Sequence, residues 1–178
     1  MSKNKRTRYV PSWGLAFVEK IEMEKLSKLS EEGWILDSFA FLGYKLCKGN
    51  NEKLIYNVDY NDLQQAEQEE YFEIFKEGGW THVCAQGSIH VFSSKPGTQP
   101  IYSDTNTMRE KYKRAMTPWK ISAVVFSLFA SASILLQLFF QHDLIIVDML
   151  GGLALVLAVP SLMTYIGLNL RLRRLNKG

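Results

Sequence analysis

The 178-residue chain has room for one small folded domain and a membrane hairpin. Residues 9–100 carry eight Lys/Arg against fourteen Asp/Glu, while residues 101–178 carry nine against four. The acidic first half argues against nucleic-acid binding, and the only cysteines, Cys47 and Cys84, read as free thiols in a reducing cytosol rather than as a disulfide framework.

Residues 1–8 form a basic tail with Lys3, Lys5, Arg6 and Arg8. No apolar h-region follows, so the tail is not read as a signal peptide. Leu15–Glu19 reads as a weak first strand. Met23, Leu26 and Leu29 then recur at helical spacing, and Gly33 stands where a helix would end in the left-handed C′ conformation. Trp34 opens a hairpin with Leu42-Gly43 as its two-residue turn. That register pairs Phe41 with Tyr44 and Phe39 with Leu46, places Ile35 on the same face, and leaves Leu36, Ser38, Ala40, Lys45 and Cys47 on the more exposed side. Leu54, Tyr56, Val58 and Tyr60 alternate as another strand. Tyr71, Phe72 and Phe75 mark a second amphipathic helix ending at Gly79, and Trp80 precedes a second hairpin turning at Gln86-Gly87.

A shift of 46 residues aligns Leu26 with Phe72, Leu29 with Phe75, and Gly33-Trp34 with Gly79-Trp80. The sequence therefore predicts an α+β fold: a duplicated β-α-β-β domain over residues 9–96, with helices on one face of a mostly antiparallel sheet. Gly33, Trp34, Gly79 and Trp80 define that fold, the tryptophans packing beneath the helix ends.

Residues 97–118 read as a polar linker followed by a short basic helix, Met108–Met116, capped by Asp104 or Thr107 and ending near Pro118. Two apolar runs follow within residues 119–170, Ile121–Phe140 and Met149–Leu170. Each is long enough to cross a ~30 Å hydrocarbon core. Arg109, Lys111, Lys113, Arg114 and Lys120 precede the first run, and Arg171, Arg173 and Arg174 follow the second in a basic tail, 171–178. The segment between the runs has no Lys or Arg, so both ends and the α+β domain are expected in the cytoplasm. The flanking basic residues are expected along a bilayer with anionic headgroups. Ala123, Ser127 and Ser131, and likewise Ala154 and Ala158, recur at four-residue spacing suited to helix–helix packing, within the hairpin or in an oligomer. Pro160 is expected to kink the second span.

No phosphate loop, CxxC pair, HExxH helix or GxSxG elbow occurs. His82 and Cys84, two apart on a strand, share a face suited to metal, but the turn register pairs His90 with Val83 and puts it on the other face. The acidic residues of the second helix read as a solvated face, and Asp37 and Asp59 as strand carboxylates bonding across the sheet. No catalytic residue, metal or cofactor is assigned.

Glu24-Lys25-Leu26, Glu32-Gly33-Trp34, Gly43-Tyr44, Tyr56-Asn57-Val58-Asp59-Tyr60, Glu70-Tyr71 with Phe75, Gly79-Trp80 and Phe92 together resemble the domain of unknown function 2812 family, over residues 9–96. The resemblance implies a membrane-associated bacterial protein encoded near PadR-like transcriptional regulators, with no catalytic residues to carry over. The expected function is a non-enzymatic, membrane-anchored cytosolic binding or regulatory module with a protein partner. The alternative is an accessory or immunity-like membrane subunit whose hairpin does the recognition.

Overall fold

The structure is a computed structural model that describes residues 6–102, 104–139 and 145–175. It comprises two compact units, Met1–Lys111 and Tyr112–Gly178. The first is α+β. Strand β1 (Thr7–Pro11), helix α1 (Leu15–Glu31) and the hairpin β2 (Trp34–Ala40) and β3 (Gly43–Lys48) are followed by β4 (Ile55–Tyr60), α2 (Gln68–Glu77) and the hairpin β5 (Thr81–Gln86) and β6 (Ile89–Ser94). Two antiparallel three-stranded sheets result, ordered β1-β3-β2 and β4-β6-β5.

The first strand is not Leu15–Glu19, which lies inside α1. The buried side of α1 holds Glu19, Glu22, Met23, Leu26 and Ser30. Carboxylates at core positions break the apolar period there, which hides two helical turns from a hydropathy reading.

Both hairpin registers also differ from the expected ones. The turns are Phe41-Leu42 and Gly87-Ser88, and each hairpin contains a β-bulge, skipping Asp37 in β2 and Val83 in β5. A bulge inserts one unpaired residue and reverses the inside–outside alternation beyond it. Leu36 therefore joins Phe39, Tyr44 and Leu46 on the buried face, while Ile35 falls on the other with Cys47. Phe41, expected to pair inward, stands exposed at the turn. Turns and bulges alike stand 46 residues apart.

The core lies where α1 packs against β2 and β4 and the edge strands β2 and β5 run side by side. Val10, Leu26, Leu36, Tyr44, Leu46, Tyr56, Val58, Cys84 and Val91 are buried there. The opposite face of the second sheet is covered by α2, with Phe75 stacked on Phe92 at 4.1 Å between ring centroids. Gly33 and Gly79 follow the two helices at φ +79° and +82°, the left-handed conformation that glycine adopts without steric cost.

Helix α3 (Thr105–Phe139) starts at Asp104, whose Oδ1 accepts the amides of Asn106 and Thr107 at 2.8 and 2.9 Å. It does not stop at Pro118. A proline removes one backbone bond, and on either side Thr117 and Ser122 donate hydroxyl hydrogen bonds to the carbonyls of Lys113 and Pro118 (3.0 and 2.9 Å). Helix α4 (Ile145–Leu175) continues through Pro160. Both helices are long and apolar enough to cross a membrane.

In the second unit the helices meet at small residues. Ser133 Oγ donates to Val147 O at 2.8 Å, and a Cβ on Gly151 would lie 2.3 Å from that hydroxyl. Ala123, Ala130 and Ser133 on α3, and Gly151, Ala154, Ala158 and Ser161 on α4, are buried. Ser127 and Ser131 are exposed, with Ser131 Oγ bonded to Ser127 O at 2.8 Å. At 3.6 residues per turn, steps of four drift about 40° each around a helix, whereas seven-residue steps drift only about 20°. The packing stripe therefore follows the seven-residue spacing from Ala123 to Ala130 and leaves Ser127 and Ser131 behind.

Candidate functional site

Charged side chains converge at the C-terminal end of β4. Val18 departs from helical geometry (φ −130°, ψ 32°), and Glu19 follows this kink on the buried side of α1. Its Oε1 accepts a 2.5 Å bond from Lys111 Nζ, and its Oε2 a 3.3 Å bond from the Tyr60 hydroxyl. Lys111, on the second turn of α3, is 1% exposed and Glu19 7%. The lysine nitrogen lies 5.8 Å from the Tyr60 ring centroid and 5.1 Å from that of Tyr102, which places the cation against aromatic faces as well as a carboxylate.

Asp59, the preceding residue of β4, points to the opposite face of the sheet. Tyr71 of α2 donates to its Oδ2 at 2.6 Å, while the Tyr102 hydroxyl and the Tyr60 amide donate to Oδ1. Alternation at Asp59-Tyr60 thus threads one polar network through both faces of the sheet. It ties α1, β4, α2 and the start of α3 together. A second buried carboxylate of α1, Glu22, accepts the Trp13 amide at 2.9 Å and lies 3.9 Å from Lys25 Nζ. Burial, with the Glu22 charge nearby, raises the pKa of the Tyr44 hydroxyl above its ordinary value.

Beside Asp59 is an aromatic nest. His82 stacks on Phe72 at 4.1 Å, and the His82 and His90 ring centroids lie 5.6 Å apart. His90 Nε2 lies 3.1 Å from Asn61 O. Burial and the neighbouring His90 lower the pKa of His82. The bulge at Val83 reverses the expected grouping: His82 and His90 share the face under α2, and Cys84 lies on the other, opposite Val91. Burial pushes the Cys84 thiol up to about 12, which leaves it protonated at neutral pH and not a nucleophile. Among the described residues no group of three or more His, Cys, Asp or Glu could hold a metal ion.

The expected membrane-surface residues divide. Lys113, Arg114, Lys120, Arg173 and Arg174 are exposed. Arg109 is half-buried, and Arg171 lies 5.9 Å from the Tyr112 ring centroid. Lys111 is instead consumed by the Glu19 network, because an ammonium on this helix face finds a buried carboxylate rather than a headgroup. Trp80 is buried and donates from Nε1 to Gln99 O at 2.9 Å. Trp34 is half-buried beneath Arg8 and Lys48, at 5.7 and 5.2 Å from its ring. The network is not visible in the sequence because its members lie far apart along the chain. The available signals were the Asp-Tyr pair closing an apolar strand and two glutamates interrupting a helix's apolar stripe.

A family profile described as "Protein of unknown function (DUF2812)" matches residues 19–124. The chain belongs to the DUF2812 family. The matched segment holds the Glu19, Asp59 and Lys111 network and reaches into α3, further than the expected 9–96. No curated protein and no solved structure matches the chain.

Proposed function

We propose that this DUF2812 protein is a membrane-anchored regulatory module whose α+β unit binds a protein partner on the cytoplasmic side. The observation that carries the reading is the surface of α3 and α4. Ile121, Val124, Leu128, Phe129, Leu150, Leu153, Val156 and Val159 all face outward, a display suited to lipid rather than water. Lys and Arg flank the pair at both ends and are absent between the helices, so both ends belong in the cytoplasm. Anchoring raises the concentration of the folded unit near a membrane-bound partner. The regulatory half of the proposal draws on the family resemblance, with a PadR-like regulator as the first partner to test. We also infer that the two β-α-β-β halves are copies, since strand order, bulge and turn positions recur at one 46-residue shift.

The test is alkali extraction of membranes, then in-cell crosslinking of the full chain and identification of what it captures. Retention in the pellet with a reproducible partner on the α+β unit supports the reading. Release into the soluble fraction overturns it. The exposed Ser127 and Ser131 on α3 favour a second reading, in which that small-residue strip meets another membrane helix. Replacing both spans with unrelated ones abolishes partner capture only in that case.

A further inference from the structure

We infer that the folded unit has a second membrane contact: an aromatic tip formed by Tyr9, Trp13, Phe17, Phe41 and Leu42 that enters the bilayer interface. The inference rests on the anchored reading above and adds a site to it. Phe41 is 87% exposed, Trp13 79% and Leu42 72%. The two segments carrying them are held together. The Tyr9 hydroxyl donates to Phe41 O and Leu42 O at 2.9 and 3.2 Å, and the Ser12 amide donates to Leu42 O at 3.0 Å. The Tyr9 ring lies directly over Gly43, where an added Cβ would come within 2.9 Å of it.

Three features select lipid as the occupant. Neither residues 9–18 nor residues 38–44 contain a charged side chain, and the ammonium bonded to them, Lys25 Nζ on Pro11 O at 2.6 Å, comes from α1. The turn carbonyls of Phe41 and Leu42 are satisfied from within, as are the Trp13 amide by Glu22 and the Gly14 amide by Ser12 Oγ (3.1 Å). A low-dielectric phase requires such internal satisfaction. Trp, Tyr, Phe and Leu are also the side chains that settle at headgroup depth. Behind the tip stand Lys20, exposed and paired with Glu24, and Lys45, paired with Asp37 and opposite Tyr9. Both stems are long enough to carry the ammonium from its carboxylate to a headgroup phosphate.

Leu42 adds an independent observation. Its φ of 51° makes it the only non-glycine residue with positive φ among the described residues. Leucine in that region is strained, and the other hairpin meets its need for positive φ with Gly87. A large apolar side chain is held in an unfavourable conformation and turned outward, where it adds nothing to the core.

The experiment places a polarity-sensitive fluorophore at Phe41→Cys in a Cys47→Ser background, with the full chain reconstituted into vesicles of mixed anionic and zwitterionic lipid. Ser88→Cys, on the other hairpin turn, is the reference. The expected result is a blue-shifted probe at position 41, quenched by lipids brominated near the headgroup at least about twofold more than at position 88. Equal quenching at the two positions in vesicle-bound protein overturns the tip alone. A probe that is shielded but unquenched means a protein covers the tip, and also overturns it. Failure of the chain to float with vesicles overturns the anchored reading and the tip together.

Discussion

Lys111 Nζ and Glu19 Oε1 meet at 2.5 Å across 92 residues of sequence, and water reaches neither group freely. Removing one partner of a buried ion pair strands the other, which costs about 3–5 kcal/mol. Lys111→Met and Glu19→Gln are each expected to lose stability on that scale, measured by urea denaturation with tryptophan fluorescence. The double variant Glu19→Leu/Lys111→Met is expected to recover most of the loss, since apolar replacements of similar volume often match a buried pair. Single losses below about 1 kcal/mol, as for a surface pair, would contradict the buried geometry.

Acid is expected to weaken the folded unit through His82. Burial and then His90 hold its folded pKa below the ordinary 6.5. The unfolded chain therefore binds a proton where the folded chain does not, so this contribution is complete above the ordinary pKa and is lost as pH falls below it. His90, Asp59 and Tyr71 share the same nest. Denaturation midpoints measured from about pH 7.5 down to about pH 5.5 should fall for the native chain and fall less for His82→Leu. Parallel slopes for the two proteins would remove His82 from the account.

The two thiols should separate under alkylation. Cys84 is buried with its thiol at about 12, from an ordinary 9.0, while Cys47 is half-buried. At neutral pH that rise leaves Cys84 with about a thousandfold less thiolate. Iodoacetamide followed by peptide mass spectrometry is expected to modify Cys47 first and to reach Cys84 only after denaturation. Equal rates in the folded protein would place Cys84 outside the core.

Gly33 and Gly79 occupy equivalent helix ends but differ in surroundings. A Cβ at Gly33 would lie 2.5 Å from Asn51 Oδ1 and 3.0 Å from the Gly49 carbonyl, whereas at Gly79 it would meet only Thr98, at 3.2 Å. Both alanine variants incur the left-handed strain of about 1 kcal/mol or more. Gly33→Ala should therefore lower the thermal midpoint further than Gly79→Ala, and the reverse order would mean that the Thr98 side chain is the less yielding neighbour.

The helix-ending glycines, the amphipathic α2 and both apolar runs were legible because each is a local pattern with its own period or cap. Strand registers were not. One bulge residue in each hairpin, Asp37 and Val83, inverts every later side chain, and no local propensity marks it. The start of α1 looks like a strand in sequence because Glu19 and Glu22 sit at core positions of the helix, where their partners come from elsewhere in the chain. Lys111 is hidden for the same reason: its basic neighbours suggest a headgroup contact, and only tertiary structure brings Glu19 beneath it. The network is therefore the part of the molecule that sequence periodicity conveys least.

Gly151 tests the second unit. Its missing Cβ lets α4 approach Ser133, and the buried stripe through Ala154, Ala158 and Ser161 continues that approach at alternating three- and four-residue steps. Gly151→Leu forces the helices apart there, and the Ser133 bond to the Val147 carbonyl, 2.8 Å long, is lost with it. Ser131→Leu, at an exposed α3 position, adds comparable bulk without entering the contact. Disulfide trapping between cysteines placed at Ala130 and Ala154, in a Cys47→Ser background in native membranes, is expected to fall several-fold in Gly151→Leu and to persist in Ser131→Leu. The opposite pattern would mean that the helices meet through the four-residue stripe of Ser127 and Ser131 instead.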